Sequence, residues 1–244
     1  MSKEMGKPIL VFVVLLGVMG LACVVPGIGS ATPVATPTPL GDTISFTIPA
    51  YTISLEPGEV VPGTQIEYVG RAGDVYKVKI DGLEANKRSG DSLIWNGVIA
   101  PGVFANYNLR LTTAVFGEVP VAGPVQLLVF NPEPTEIEAS ELEQLTTRYH
   151  FGNIVINYFV PAGSIIPGTT ILFEGLEPQP PGSQSAQQGR LAGLSGYPLV
   201  ALGDSLVWTG RLRDNVTIRY NLRVASLSED GIRLAGTAEL WITE

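Results

Sequence analysis

Apolar and polar residues alternate along most of this chain with a period of two. In residues 107–112, for example, Tyr107, Leu109 and Leu111 are separated by polar residues. Successive side chains of a β-strand point to opposite faces, so this pattern is typical of a half-buried strand. Residues 216–224 repeat the alternation. The pattern therefore predicts an all-β protein.

The chain contains the same β-rich unit twice. The matched segments are 60–70 with 165–175, 90–97 with 203–210, and 107–111 with 220–224. Each unit has the size of a sandwich domain, so we predict two tandem antiparallel β-sandwiches at residues 43–132 (repeat 1) and 148–244 (repeat 2).

Within each unit, the matched segments predict a β-hairpin that turns at Pro101-Gly102 in repeat 1 and at Asp214-Asn215 in repeat 2. Gly97 and Gly210 indicate a bulge or a backbone position closed to side chains. The offset between the units rises from 105 to 113 residues across Pro178–Gln188. That segment is rich in Pro, Ser, Gln and Gly and predicts a mobile loop in place of a strand.

The segment between the repeats, residues 133–147, is acidic. Thr135 and Glu138 have the spacing of a capping box, and Ala139, Leu142 and Leu145 would share one face of a helix. We expect either a short helix over residues 135–147 or a solvated, partly helical linker.

Residues 1–31 have the order of an export signal: basic residues, the apolar run Ile9–Val25, then Pro26 and small residues. Three outcomes stay open, namely cleavage after Ala31, acylation of Cys23 as in a lipoprotein, and retention as a membrane anchor. Each of them places the repeats in the cell envelope or outside the cell. Residues 32–42 are rich in Thr and Pro and predict an extended spacer.

Composition narrows the possible chemistry. The net charge is −8, but it is concentrated in the linker, and each repeat is nearly neutral. The sequence has no basic patch of the kind that would indicate nucleic acid as a partner. With one histidine and one cysteine, a zinc or copper site is not expected, and we predict no cofactor. A calcium site formed by scattered carboxylates stays open.

One segment has the look of a catalytic motif. Residues 199–206, Leu-Val-Ala-Leu-Gly-Asp-Ser-Leu, resemble the nucleophile block of the GDSL esterases and lipases, which would imply that Ser205 is a nucleophile. That mechanism requires a histidine base, which the family places after the serine, whereas His150 precedes it. Ser92 occupies the same tetrapeptide in repeat 1. We therefore predict that Gly-Asp-Ser is a turn that begins the tryptophan strand.

The aromatic residues shared by the units favour core packing over sugar stacking. Trp95 and Trp208 are equivalent, as are Tyr107 and Tyr220, and their periodicity points them inward. Contact with a partner is more plausible at aromatics that the units do not share. These candidate contact residues are Phe104, Phe116 and Tyr197.

The order Pro-Gly-Thr, Trp-x-Gly and turn is similar to that of the immunoglobulin-like repeat modules of bacterial surface proteins. The matching residues are Pro62, Gly63, Tyr68, Trp95, Gly97, Pro101 and Gly102 in repeat 1, and Pro167, Gly168, Phe173, Trp208 and Gly210 in repeat 2. The resemblance implies two immunoglobulin-like sandwiches and an extracellular location, and it carries no active site with it.

Together these observations predict a non-enzymatic exported module that acts as a structural spacer or binds a protein or a cell-surface polymer. A carbohydrate-binding module is the first alternative. A secreted hydrolase that uses Ser205 is the second.

Overall fold

The computed structural model describes residues 42–113, 117–180, 186–194 and 196–243. All of them belong to one compact unit, Pro39–Glu244. The predicted signal or anchor (1–31) and Cys23 lie outside the described residues, as do most of the predicted spacer (32–42) and Phe116.

The described residues form strands and one short helix. In repeat 1 the strands are β1 (Thr43–Leu55), β2 (Ile66–Ala72), β3 (Val75–Ile80), β4 (Leu83–Lys87), β5 (Ser92–Ala100), β6 (Val103–Leu111) and β7 (Val119–Phe130). The linker contains β8 (Thr135–Glu136) and α1 (Ala139–Leu142). In repeat 2 the strands are β9 (Tyr149–Pro161), β10 (Ser164–Ile165), β11 (Leu172–Leu176), β12 (Gln188–Ala192), β13 (Leu199–Ala201), β14 (Ser205–Arg213), β15 (Val216–Ser228) and β16 (Gly231–Ile242).

Each repeat has one large and one small antiparallel sheet. The large sheets have the orders β1-β7-β6-β5 and β8-β14-β15-β16-β9, and the small sheets have the orders β2-β3-β4 and β10-β11-β12-β13. The prediction of an all-β antiparallel protein is thereby confirmed. Both predicted hairpins are present, since β5 pairs with β6 and β14 pairs with β15.

The strand order differs from that of an immunoglobulin domain. In a constant-type immunoglobulin sandwich the second strand pairs with the first and the fifth. Here β2 pairs with β3, and β1 pairs with β7. The resemblance rested on turn and core residues, which specify individual hairpins and leave open which hairpins meet in a sheet.

The core runs through both repeats and contains both tryptophans of the repeated motif. Trp95 is 7% exposed and Trp208 is 2% exposed, so the prediction that they pack inside is confirmed. Each ring lies against the glycine two residues later. A Cβ atom on Gly97 would lie 2.6 Å from the Trp95 ring, and one on Gly210 would meet the Trp208 ring. The predicted closed backbone position is therefore present in both repeats, and a bulge follows it in both strands.

A buried tyrosine joins the two sheets of each repeat through a backbone carbonyl. The Tyr107 hydroxyl donates to the Pro62 carbonyl at 2.9 Å, and the Tyr220 hydroxyl donates to the Pro167 carbonyl at 3.2 Å. Each proline opens the Pro-Gly-Thr turn that leads into the small sheet. Burial raises the pKa of Tyr107 and of Tyr220, so both hydroxyls keep their protons.

The Pro-Gly-Thr turn has the same internal bonds in both repeats. The threonine hydroxyl donates to the carbonyl three residues earlier and accepts from the amide two residues later, in Thr64 as in Thr169. Gly63 and Gly168 have φ angles of 79° and 74°, which L side chains rarely adopt. The turn therefore requires glycine, and its side-chain bonds fix where the tyrosine finds its acceptor.

The linker is only partly helical, as in the second of the two expectations, and the longer helix over residues 135–147 is not formed. Thr135 and Glu136 form β8, which pairs with β14, and the amides of Glu133 and Ile137 donate to carbonyls of that strand. Only residues 139–142 are helical, with a capping box between Glu138 and Glu141. An open sheet edge offers backbone partners to a segment that is too short to be a stable helix alone.

The prediction that a loop replaces a strand in repeat 2 is wrong. β12 pairs with β11 and β13, as β3 pairs with β2 and β4. The eight added residues lengthen the connection before this strand, and residues 181–185 of that connection lie outside the described part of the chain.

We expect Tyr220→Phe to lower the free energy of unfolding by about 1–3 kcal/mol, because it leaves the Pro167 carbonyl without its donor. Urea denaturation followed by circular dichroism measures the change. Tyr197→Phe is the matched control, since Tyr197 is 71% exposed. Stabilisation by Tyr220 is complete below about pH 10, where an unfolded tyrosine ionises, and is lost above it. The difference between wild type and Tyr220→Phe should therefore shrink at alkaline pH, and a constant difference would contradict this account.

We expect Gly97→Ala to destabilise the protein by about 1–3 kcal/mol, because the added methyl group overlaps the Trp95 ring. Gly152→Ala is the control, since the nearest atom to a Cβ there is 4.0 Å away. Equal melting temperatures for the two variants would show that the ring is not confined by this glycine.

Candidate functional site

The two candidate contact residues that the structure describes lie on different repeats. Phe104 is half-buried on the outer face of β6, opposite Val98 of β5. Tyr197 is 71% exposed in the connection between β12 and β13. No element brings the two together, so each would have to act in a separate surface.

The Gly-Asp-Ser segments are turns, as predicted. In repeat 2 the Asp204 carboxylate accepts from the Ala201 amide at 2.8 Å, and Asp204 also receives the Val224 amide at its carbonyl. In repeat 1 Asp91 accepts from the Arg88 amide at the same distance and from the Leu111 amide in the same way. The aspartate thus closes a turn that starts the tryptophan strand in both repeats.

Ser205 is far from the histidine that a hydrolase would need. In the large sheet of repeat 2, Ser205 lies in one row with Arg223, Ala235 and Asn157, and His150 lies in one row with Trp241, Thr217 and Arg211. The rows are six residues apart along β14, and β14 and β9 are three strands apart. Strand geometry then separates Ser205 from His150 by about 24 Å. Proton transfer between these side chains is excluded at that distance.

His150 is instead part of an aromatic pair on the outer face of repeat 2. Its ring stacks on Trp241 with centroids 5.1 Å apart and an angle of 18° between the planes, and its Nε2 lies 3.4 Å from a carboxylate oxygen of Glu239. Sequence reasoning missed Trp241. The available signal was that it is the third tryptophan and falls outside the repeated motif.

A polar cleft of about 440 Å³ lies where the two repeats meet the linker. It is lined by Asn131, Glu133, Thr135, Arg211, Arg213 and Asp214. Arg211 is paired with Glu141 of α1 at 2.9 Å. Two arginines and two carboxylates in one cleft could in principle hold a small charged ligand.

The cleft is better explained as a joint between the repeats. Nη1 of Arg213 donates to the Phe130 carbonyl at 2.6 Å and to the Asn131 carbonyl at 3.2 Å. Asn215 donates from Nδ2 to the Pro101 carbonyl at 3.1 Å. The β14–β15 turn of repeat 2 is thereby bonded to the β5–β6 turn and the end of β7 in repeat 1.

Apolar contacts support the same joint. The ring of Tyr51 in β1 lies 6.2 Å from the ring of Phe151 in β9, and Tyr51 also meets Tyr107 edge to face. Buried residues of both repeats belong to one continuous cluster. The joint is therefore a packed interface, and the two repeats cannot hinge without breaking it.

No group of three metal-ligating side chains occurs within the described ranges. Nor does that part of the chain include a helix long and apolar enough to cross a bilayer. Comparison of the chain with protein-family models, curated proteins and solved structures found no match.

We expect Arg213→Ala to lower the free energy of unfolding by about 1–3 kcal/mol, because it removes charged hydrogen bonds to two carbonyls. Arg223→Ala is the control, since Arg223 is an exposed arginine on β15 of the same sheet. Urea denaturation followed by tryptophan fluorescence measures both. If Arg213→Ala unfolds at the same urea concentration as wild type, the joint does not depend on this side chain.

Proposed function

We propose that this protein is a non-enzymatic exported module of the cell envelope or extracellular space, and that it serves as a structural spacer or binds a protein or cell-surface polymer. The observation that carries the proposal is the joint. Arg213 and Asn215 bond repeat 2 to the carbonyls of repeat 1, and the apolar core continues across. A fixed angle between two domains suits a protein that spaces or displays a surface.

The use of the shared residues supports a scaffold. Both copies of Gly-Asp-Ser close turns, both shared tryptophans pack in the core, and both shared tyrosines bond to turn carbonyls. The aspartates, tryptophans and tyrosines that the repeats share thus have structural roles in both copies. The distance of about 24 Å between Ser205 and His150, which follows from strand geometry, argues against the hydrolase alternative.

The exported location is supported by the order of residues 1–31 and by the Thr/Pro-rich segment that follows. Such a spacer would hold the two repeats away from the membrane or wall. One specific observation favours the carbohydrate-binding alternative, namely the stacked pair of His150 and Trp241 on the outer face of repeat 2. Sugars bind to aromatic faces of this kind.

Cell fractionation followed by intact-mass measurement tests the location. We expect the protein in the envelope or the medium, with a mass that reports a start at Thr32, a diacylglyceryl group on Cys23 or the full chain. A full-length protein confined to the cytoplasm would refute the proposal.

The absence of turnover is tested in the same preparation with ester and glycan substrates. We expect no activity that differs between wild type and Ser205→Ala. Turnover that Ser205→Ala abolishes would establish a hydrolase. Glycan binding that Trp241→Ala abolishes, with Trp241→Phe retaining it, would establish the carbohydrate-binding alternative.

A further inference from the structure

The large sheet of repeat 2 has an edge to which an extra strand is added. β8 pairs antiparallel with β14, with Gly210 opposite Glu136, and the Ile137 amide donates to the Thr209 carbonyl at 3.1 Å. The backbone groups of Thr209 therefore point away from β15, toward the edge of the sheet where β8 lies. A side chain at position 210 would collide with the added strand, because a Cβ atom there would lie 2.5 Å from the carbonyl oxygen of Thr135. The absence of a side chain on Gly210 therefore lets β8 pair with this edge.

The equivalent edge in repeat 1 is β5. Asn96, Gly97 and Val98 correspond to Thr209, Gly210 and Arg211, because both strands begin at the Gly-Asp-Ser turn. Within the described ranges β5 pairs only with β6. β5 has the same pairing register and the same bulge as β14. Unlike β14, it has no described strand on its free edge.

Lys87 donates from Nζ to the Ser92 carbonyl at 3.1 Å at the start of β5, and a bulge follows Val98, as it does in β14, which still accepts a strand. Between these points the free edge lacks the charges and prolines that usually prevent strands from pairing between molecules. Its outward residues Ile94 and Val98 are 45% and 69% exposed, and β5 contains no charged residue and no proline. Natural proteins protect such edges with charges, prolines, bulges or a covering segment. In repeat 2 the covered edge also has Arg211 where repeat 1 has Val98.

We propose that two copies of this chain pair through β5, antiparallel, about a two-fold axis at Asn96. The large sheets of the two copies then form one continuous sheet. This pairing does not depend on the proposed envelope function.

The sequence of β5 fits its own two-fold copy in this register. Asn96 faces Asn96 of the second copy, and the two amide side chains can bond to each other. Ile94 then faces Val98 of the second copy, so apolar residues meet apolar residues on the outer face. The outward backbone groups fall at the positions that a hydrogen-bonded pair requires, since Asn96 stands where Thr209 stands in repeat 2.

The neighbouring strand enlarges the apolar contact. Phe104 of β6 lies directly beside Val98, and Leu128 of β7 lies beside Phe104. This row is on the outer face, and Ile94 of the second copy would extend it. Phe104 is thereby part of the proposed interface between copies. Because the two-fold axis pairs β5 with itself, each copy has no second β5 edge to offer, and the assembly stops at a dimer.

Cross-linking between cysteines tests the register directly. In the full-length protein with Cys23→Ser, the variants Ile94→Cys and Val98→Cys are prepared separately and treated with a short bismaleimide. We expect a covalent dimer when the two variants are mixed and little from either alone, because each position faces the other and not itself. Asn96→Cys should cross-link alone. Val207→Cys, which is the position of Ile94 in repeat 2, should not cross-link with Val98→Cys.

Analytical ultracentrifugation measures the dimer itself. We expect Val98→Arg, which introduces the residue that repeat 2 has at this position, to weaken dimerisation at least about tenfold by placing a charge in the pairing edge. Val155→Arg is the control on β9, where Val155 is 57% exposed. A wild-type protein that stays monomeric would refute the proposal. A Val98→Arg dimer of unchanged affinity would also refute it, as would single variants that cross-link as well as the mixture. Another protein or the N-terminal segment would then be the occupant of the edge.

Discussion

The hydrogen bond from a buried tyrosine to the carbonyl of a turn is the interaction on which each repeat depends. The tyrosine lies in the middle of the large sheet, and the turn leads into the small sheet, so one bond sets how the two sheets face each other. Because burial raises the pKa of both tyrosines, each hydroxyl remains a donor. Gly63 and Gly168 have no side chain that could displace the hydroxyl, and the threonine bonds hold the turn in shape.

Around this fixed bond, the repeats differ in how they complete the rest of the core. The Trp95 indole donates to Asp81 at 2.9 Å, whereas the Trp208 indole donates to the Thr170 hydroxyl at 3.3 Å. Both solutions satisfy a donor that would otherwise be buried without a partner. Repeat 2 has Leu194 at the position of Asp81, and Thr170 from the turn supplies the acceptor instead.

Local features of the fold could be predicted from the sequence, and long-range ones could not. Alternation and duplicated turns identified the two hairpins, the inward tryptophans and the role of Asp91 and Asp204, because each of these depends on residues close in the chain. The order of strands in the sheets depends on which backbone edges meet, and no pattern of turn residues encodes that. The failure at Thr135 has the same cause: local spacing favoured a helix, and the open edge of β14, far away in sequence, provided better partners. Of the candidate contact residues, Tyr197 is exposed and Phe104 is half-buried, whereas Trp241, which stands where repeat 1 has Leu128, was overlooked.

The two turns that differ between the repeats are complementary halves of one joint, which explains a departure that the sequence alone leaves unaccounted for. Repeat 1 turns at Pro101-Gly102 and repeat 2 at Asp214-Asn215. A Cβ atom on Gly102 would lie 2.6 Å from Nε of Arg213, so the repeat 1 turn needs a residue without a side chain where the guanidinium packs against it. Asn215 supplies an amide that reaches the Pro101 carbonyl, which a glycine at that position could not do. The two turns therefore differ in a way that lets them fit each other. Exchanging them would remove the Arg213 and Asn215 donors and the space that Gly102 leaves for Arg213.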